Sequence, residues 1–400
     1  MEPGDLFVSR LPRRYREVAP REEVLSGRRV WFLDGHRTLT STLYQLLPGD
    51  GPRGPDVRRR LRDLDADGIQ NEVVYPNLGL TVMSIADDEL AMACARIYND
   101  DLADRYLPHR DRLTAIPIIP IVDIGSAVEE IERVAALGFR GILLPLVPHV
   151  PYYRLDRYAP IWAAAQAHRL PVSFHVGTGF VVLPNGTPIA ASRARLSMNL
   201  LPAIGHAGRS GSADEPDPAR TADAKRTIGA LSVGDEARDL IAALVGSGTL
   251  DRFPELHIVS VENNANWLAW SMMAMDKAWT LGPGQPESFK ATFHDGTSDP
   301  DTEPDLDLFG FSWPYPLMPS EYVRRQVHAT FMDDVGAIAA RHVTGIAPLL
   351  WASDYPHAEG TWPESRRALA ALLDGVPDAE ADAIVGGNLA SLYGLEDAHA

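Results

Sequence analysis

YAPIWAAAQAHRLPVSFHVGTG, residues 158–179, carries the pattern on which the fold turns. Its first part, 158–168, is an alanine-rich apolar run of helical character. Pro171–Phe174 (PVSF) is short and apolar, and His175 follows it directly. A run of this kind suits a strand buried on both faces of a parallel sheet. Helix, buried strand, then a chemically active side chain at the strand's carboxyl end is the repeat of a parallel α/β fold.

The same alternation continues to both sides. Strand-like runs occur at Val30–Leu33, Glu72–Tyr75, Leu113–Ile119, Gly141–Leu144, His257–Val261, Gln326–Phe331 and Pro348–Ala352. Helix-like segments stand at 87–107, Ser126–Leu137, 236–247, 264–279, 333–342 and 364–374, and Gly138 takes a C-cap position. Eight strands alternating with helices predict a (β/α)8 TIM barrel, with a doubly wound open sheet as the structural rival. Residues 1–28, charged and Pro-bearing, read as an N-terminal arm, and 29–396 as a single barrel domain. Two long loop insertions interrupt the rhythm near 205–232 and 281–320. The first is polar and reads equally as a functional loop or a surface insertion. The second ends in Phe309, Phe311, Trp313 and Tyr315, too apolar for plain solvent, and is expected to cover substrate or contact a subunit.

Bulk composition narrows the partners. The chain has 400 residues, 45% hydrophobic and 23% charged, enough for a sizeable core. Its net charge of −17 argues against nucleic acid and anionic membrane surfaces, which are bound through Lys and Arg. The lone cysteine, Cys94, excludes an internal disulfide and sits in an apolar, helix-like run where packing is its expected role. With no signal-like N-terminus and no apolar run of membrane-spanning length, a cytoplasmic location is expected.

In a parallel barrel the chemistry lies at the carboxyl ends of the strands. There the chain offers Asp34-Gly35-His36 after the first strand, His175 after the fifth, Glu262 after the sixth and Asp354 after the eighth. Imidazole nitrogen and carboxylate oxygen suit Zn²⁺, Mn²⁺ or Fe²⁺, with Zn²⁺ the first expectation. Asp34, His36, His175 and Asp354 form the expected metal set. On a continuous strand, residues i and i+2 would present Asp34 and His36 to one face. Each residue also has a plainer reading, as a helix cap or a partner for loop backbone. Asp354, Glu262 and His175 are the catalytic candidates. Glu262 is open between metal ligand, proton carrier and simple ion-pair partner of Arg324 or Arg325. For substrate binding, His357 reads as a pocket contact or a turn cap. Arg324 and Arg325 offer bidentate pairing to a substrate carboxylate or a structural ion pair. Trp267 and Trp362 read as an aromatic pocket wall or as core.

These stretches together resemble the amidohydrolase-related proteins of the aminocarboxymuconate-semialdehyde decarboxylase type. The resemblance rests on RLRDLDADGIQNEVVYP (60–76), YNDDLADRYLPHRDRLTAIPIIP (98–120), AALGFRGILLP (135–145), residues 158–179, LDRFPELHIVSVENNANWL (250–268), LLWASDYPHAEGTWP (349–363) and GGNLASLYGL (386–395). It implies a TIM barrel with one catalytic divalent ion and, by analogy, a homodimer. It makes Asp34 the first-strand carboxylate ligand, matches His175 to the histidine after strand five, and gives Asp354 metal-binding and proton-handling roles. Many decarboxylases of this kind carry His where Glu262 stands. That departure makes metal-assisted hydrolysis of a small carbonyl-containing acid or amide the leading expectation. Non-oxidative decarboxylation, or a hydratase or cyclase reaction, of an aromatic or unsaturated acid is the alternative.

Overall fold

The computed structural model describes residues 2–25, 28–33, 36–38, 56–148, 153, 156–182, 188–190, 234–280, 313–357 and 359–395. Asp34, and the expected loop at 205–232, lie outside them, as do 281–312 of the second loop.

Twelve strands occur among these residues. β1 (Arg21–Leu25), β2 (Arg28–Leu33) and β3 (His36–Thr38) form an antiparallel sheet. β4 (Glu72–Val74) and β5 (Leu113–Ala115) pair in parallel, and a parallel bridge from Ile118 to Leu143 carries the sheet on to β6. From there β6 (Ile142–Leu144), β7 (Val172–His175), β10 (Ile258–Val261), β11 (Val327–Phe331) and β12 (Leu349–Trp351) run side by side in parallel. Between β7 and β10, β8 (Phe180–Val182) and β9 (Pro188–Ala190) make a small hairpin. The fold is of the (β/α)8-barrel class, and every strand-like run of the sequence from Glu72 onward contains one of its strands.

The first run behaves differently. Val30–Leu33 lies within β2, whose described ladders are antiparallel, to β1 on one side and β3 on the other. Leu33 of β2 pairs with His36 of β3, so His36 does not continue the strand that holds Leu33; Asp34 lies outside the described residues. The physical reason is local. Asp-Gly after a short apolar run is favoured chemistry for a two-residue turn, and the arm supplies β1 as a partner strand.

The arm is part of the body. Leu6, Phe7 and Leu11 are buried in the main core, and Arg10 reaches Asp101 at 3.1 Å. The Glu2 carboxylate accepts the backbone N–H groups of Asn77, Leu78 and Gly79. Four of the helices are α1 (Leu6–Arg10), α2 (Val57–Asp67), α3 (Asp88–Tyr106) and α4 (Ile124–Leu137). Asp56, Asp87 and Asp123 cap the last three by accepting first-turn N–H groups. Gly138, at φ 95°, closes α4 as the sequence predicts. The sequence assigns no helix to 57–67, yet α2 forms there between Asp56 and a left-handed Gly68. The expected helix at 333–342 divides into Val335–Ala339 and Arg341–Thr344. Cys94 is fully buried.

Of the second loop's aromatic cluster, Trp313 and Tyr315 are described and pack inward. Trp313 meets Trp279 at 5.0 Å and Tyr315 edge-on at 4.9 Å, and both lie against the main core. They pack against the core where the chain returns to the barrel.

Candidate functional site

Three strand ends deliver the site. β7 ends on His175 itself, Glu262 follows β10, and Asp354 lies three residues beyond β12. His175 is buried, and its Nδ1 lies 2.8 Å from the Val176 carbonyl. A carbonyl only accepts, so Nδ1 carries the hydrogen and Nε2 keeps the lone pair. That Nε2 stands 3.0 Å from Glu262 Oε1. A lone-pair nitrogen facing a carboxylate oxygen requires a cation, or a second proton on the ring, to satisfy both. On the other flank His357 Nδ1 donates to Asp354 Oδ1 at 2.8 Å. Glu262, Asp354 and His357 each offer a donor atom within 4.8 Å of the others. Two carboxylates with adjoining imidazoles fit a hard-to-borderline divalent ion.

The charges are unequal. Burial pushes the Glu262 carboxyl up, but His175 and His357 beside it prevail and hold it well below the usual carboxylate range. Its side chain keeps 35% of its surface exposed, so water screens part of this effect. Asp354 moves the other way: burial, helped by the neighbouring Glu262 charge, raises it against the pull of His357. His357 is depressed by burial, yet the Asp354 hydrogen bond and charge carry it to about 9. Glu262 is therefore held ionised, and Asp354, raised to about 6, is the more readily protonated of the two; near neutral pH its charge and hydrogen bond keep a proton on His357.

Both carboxylates stand on left-handed backbone, Glu262 at φ 56° and Asp354 at φ 55°. Such residues persist where their surroundings over-determine them, commonly at functional sites. The loop bearing Glu262 is held closely. Its N–H donates to Thr330 Oγ1, and buried Asp334 accepts from Ala265 N and Asn266 N. The Trp267 indole N–H donates to the Asn263 and Asn264 carbonyls, so Trp267 braces this loop. Trp362 meets Tyr355 edge-on at 5.7 Å, next to Asp354. Beneath His175, the Tyr75 ring lies 6.1 Å away, its hydroxyl bonded to Ser173 and Tyr393. After β7, Gly179 sits at φ 87°, and a Cβ there would come within 1.9 Å of the Val147 carbonyl oxygen.

The structure thus brings His175, Glu262, Asp354 and His357 together. Arg324 and Arg325 are not with them. They close the helix Pro319–Gln326 that enters β11, at the opposite end of the strands. Arg324 donates to Val343 O and Arg325 to Leu250 O, so they serve the barrel's floor, and Glu262 pairs with His175 instead of either. Asp34 and the His36 side chain lie outside the described residues. Asp334 and Tyr75 support the site and have no place in the sequence expectations. For Asp334 a signal exists: an Asp at the end of the seventh strand run, three residues before a small residue, has N-cap spacing.

A parallel barrel with imidazoles and carboxylates gathered at its strand ends defines a barrel enzyme of metal-site type. The chain belongs to the amidohydrolase family, whose profile matches residues 36–395. Among solved structures it is similar to an amidohydrolase from Mycobacterium avium subsp. paratuberculosis K-10, at 20% identity and TM-score 0.69, covering 98% of this chain and 96% of that one. It is also similar to a dihydroxybenzoic acid decarboxylase from Polaromonas sp. JS666 with bound manganese and the inhibitor 2-nitroresorcinol, at 22% identity and TM-score 0.57, covering 85% and 86%. A third, 5-carboxyvanillate decarboxylase from Sphingomonas paucimobilis, matches at 22% identity and TM-score 0.56, covering 89% and 90%. No curated protein sequence matches the chain. Among the described residues no helix is long and apolar enough to cross a membrane.

Proposed function

We propose that this protein is a metal-dependent carboxy-lyase that removes CO2 from an aromatic or unsaturated acid without an oxidant. The observation that carries the reading is the gathering of Glu262, Asp354 and His357 in one cluster, with a proton shared between Asp354 and His357 through a 2.8 Å bond. His175, Glu262 and Asp354 would hold the divalent ion, together with Asp34 and His36 from the sequence pattern. Zinc is the first choice and manganese the second, since a similar decarboxylase binds manganese. Once bound, the ion supplies positive charge that fixes the acid and stabilises the electron pair left when the carboxylate departs.

The protein's own groups handle the proton. The bond between the substrate carbon and its carboxylate breaks, CO2 leaves, and the carbon keeps the electron pair. Asp354 gives its proton to that carbon, and His357, bonded to Asp354 Oδ1, is placed to return one. Glu262, held ionised, accepts and does not donate, so the proton-donor role falls to Asp354. Hydrolysis, the leading expectation from sequence, yields first place because several similar structures are named as decarboxylases of aromatic acids. A small-molecule substrate, a homodimer and a cytoplasmic location complete the proposal.

The test is a panel of hydroxybenzoic acids and their amides, given to protein loaded with Mn²⁺ or Zn²⁺. The expected result is CO2 released in step with loss of an acid. Amide cleavage with no CO2 from any acid would overturn decarboxylation and restore hydrolysis.

A further inference from the structure

The loop carrying Asp354 and His357 runs from Ser353 to Ser365, and one face of α2 grips it at both ends. Near its start, the Tyr355 hydroxyl donates to Asp63 Oδ2 at 2.7 Å. Arg60 lies over the Tyr355 ring at 5.0 Å, with its Nη2 3.5 Å from the Tyr355 carbonyl. At the loop's end, Asp67 accepts from the Ser365 N–H at 3.0 Å and from the Ser365 hydroxyl. Residues 60, 63 and 67 are spaced i, i+3, i+7, which is one helical face. Arg60 is itself fixed, because its guanidinium makes a bidentate pair with Glu72 at the start of β4, at 2.5 and 2.9 Å. Tyr355, Asp67 and Ser365 are all buried.

The loop between these grips is closed on itself. Thr361 N donates to Ser353 O at 2.9 Å, His357 N to Asp354 O at 2.8 Å, and Gly360 N to His357 O at 3.1 Å. At Gly360 a Cβ would come within 2.7 Å of the Ser353 carbonyl oxygen and 2.9 Å of that of Asp354. These bonds tie the described residues of the loop to one another. Its orientation on the barrel is then set by what holds its ends.

We infer that Arg60, Asp63 and Asp67 of α2 are positioning residues for the site, acting through Tyr355 and Ser365 to hold Asp354 in its left-handed conformation with His357 against it. None of them touches the reacting atoms. A left-handed non-glycine backbone costs on the order of 1–3 kcal/mol and relaxes unless its surroundings fix it. The Tyr355 contacts begin one residue after Asp354 and tie it to α2, outside the loop's own hydrogen bonds. The metal part of the inference rests on the proposed function; the loop part does not.

The experiment compares wild type with Tyr355→Phe, Asp63→Leu, Asp63→Asn and Ser365→Ala by two readouts. The first is amide hydrogen exchange of the peptide spanning 353–365. The second is Mn²⁺ affinity by calorimetric titration, which needs no substrate. In Tyr355→Phe and Asp63→Leu, exchange of this loop should quicken at least tenfold while β7 and β10 keep their protection. Mn²⁺ binding should weaken by about 10-fold or more, as happens when partners that orient metal ligands are removed. Asp63→Asn keeps an acceptor for the Tyr355 hydroxyl and should largely restore both. Ser365→Ala gives a milder test at the far grip should Asp63→Leu fail to fold. Loop exchange within twofold of wild type in folded Tyr355→Phe overturns the clamp. A wild type that binds no Mn²⁺ sinks the proposed metal site instead, and loop exchange then decides the clamp alone.

Discussion

At the scale of single residues, a carboxyl group's value depends on what it faces. Asp354 and Glu262 share one cluster, but burial raises the first while imidazoles depress the second. Asp354→Asn keeps the shape and removes the transferable proton. Turnover should fall by about 10²–10⁴-fold, with the circular dichroism spectrum and melting midpoint little changed; a fully active variant would end this role. His328 carries a different prediction, at the other end of the barrel. It is buried, donates through Nδ1 to the Ala347 carbonyl, and shares an N–H···N bond of 3.1 Å with His257. Burial, with His257 beside it, lowers it from its ordinary 6.5 to about 4. Because the folded value lies below the unfolded one, the unfolded chain binds the proton first as pH falls. Stability is therefore whole above about pH 6.5 and is lost progressively down to about pH 4, by on the order of 3 kcal/mol. Urea melts across that window should show the slope, and His328→Leu should flatten it.

At the scale of elements, Asp334 joins two loops. Its carboxylate caps the helix Val335–Ala339 through Ala337 N and also accepts Ala265 N and Asn266 N, just after Glu262. Asp334→Ala leaves these buried donors without their acceptor. The expected loss is about 3 kcal/mol, seen as a lower urea midpoint at unchanged slope, together with reduced turnover because the Glu262 loop loosens. The legibility of the elements follows their periodicity. β7, β10, β11 and β12 are short runs rich in Val, Leu, Ile and Phe in a buried parallel sheet, and they stand out because burial on both faces favours such residues. His175, Glu262 and Asp354 were legible for the same reason: each polar residue ends such a run. α2 was not, since its surface is mostly Arg and Asp and the contacts it makes are to a loop some 300 positions away in sequence. Arg324 and Arg325 precede β11, so chain order already places them at the amino end of that strand, away from the rim that holds Glu262 and Asp354. The Asp34-Gly35 pair suits a strand end and a two-residue turn alike, and it lies outside the described residues.

At the scale of the whole molecule, the site draws together strands that are not neighbours. The sheet order β12-β11-β10-β7 places one strand between the bearers of Asp354 and Glu262. Their carboxylates nevertheless reach within one cluster, with His175 and His357 on its flanks. In a chain of net charge −17, gathering two carboxylates raises their mutual repulsion unless a cation balances them. A divalent ion held there would bind the folded state and not the unfolded chain, cross-linking the ends of β7, β10 and β12. Stability should then follow metal concentration by mass action, with a gain of about 2.7 kcal/mol when free metal exceeds its dissociation constant 100-fold. Dialysis against a chelator should lower the melting midpoint and abolish turnover, and added Mn²⁺ or Zn²⁺ should restore both. The double variant Glu262→Gln, Asp354→Asn should lose the metal-dependent shift and, with less charge to balance, melt no lower than the chelated wild type. A wild-type midpoint indifferent to both chelator and added metal would show that the cluster holds no ion, and that His175 meets Glu262 through a proton alone.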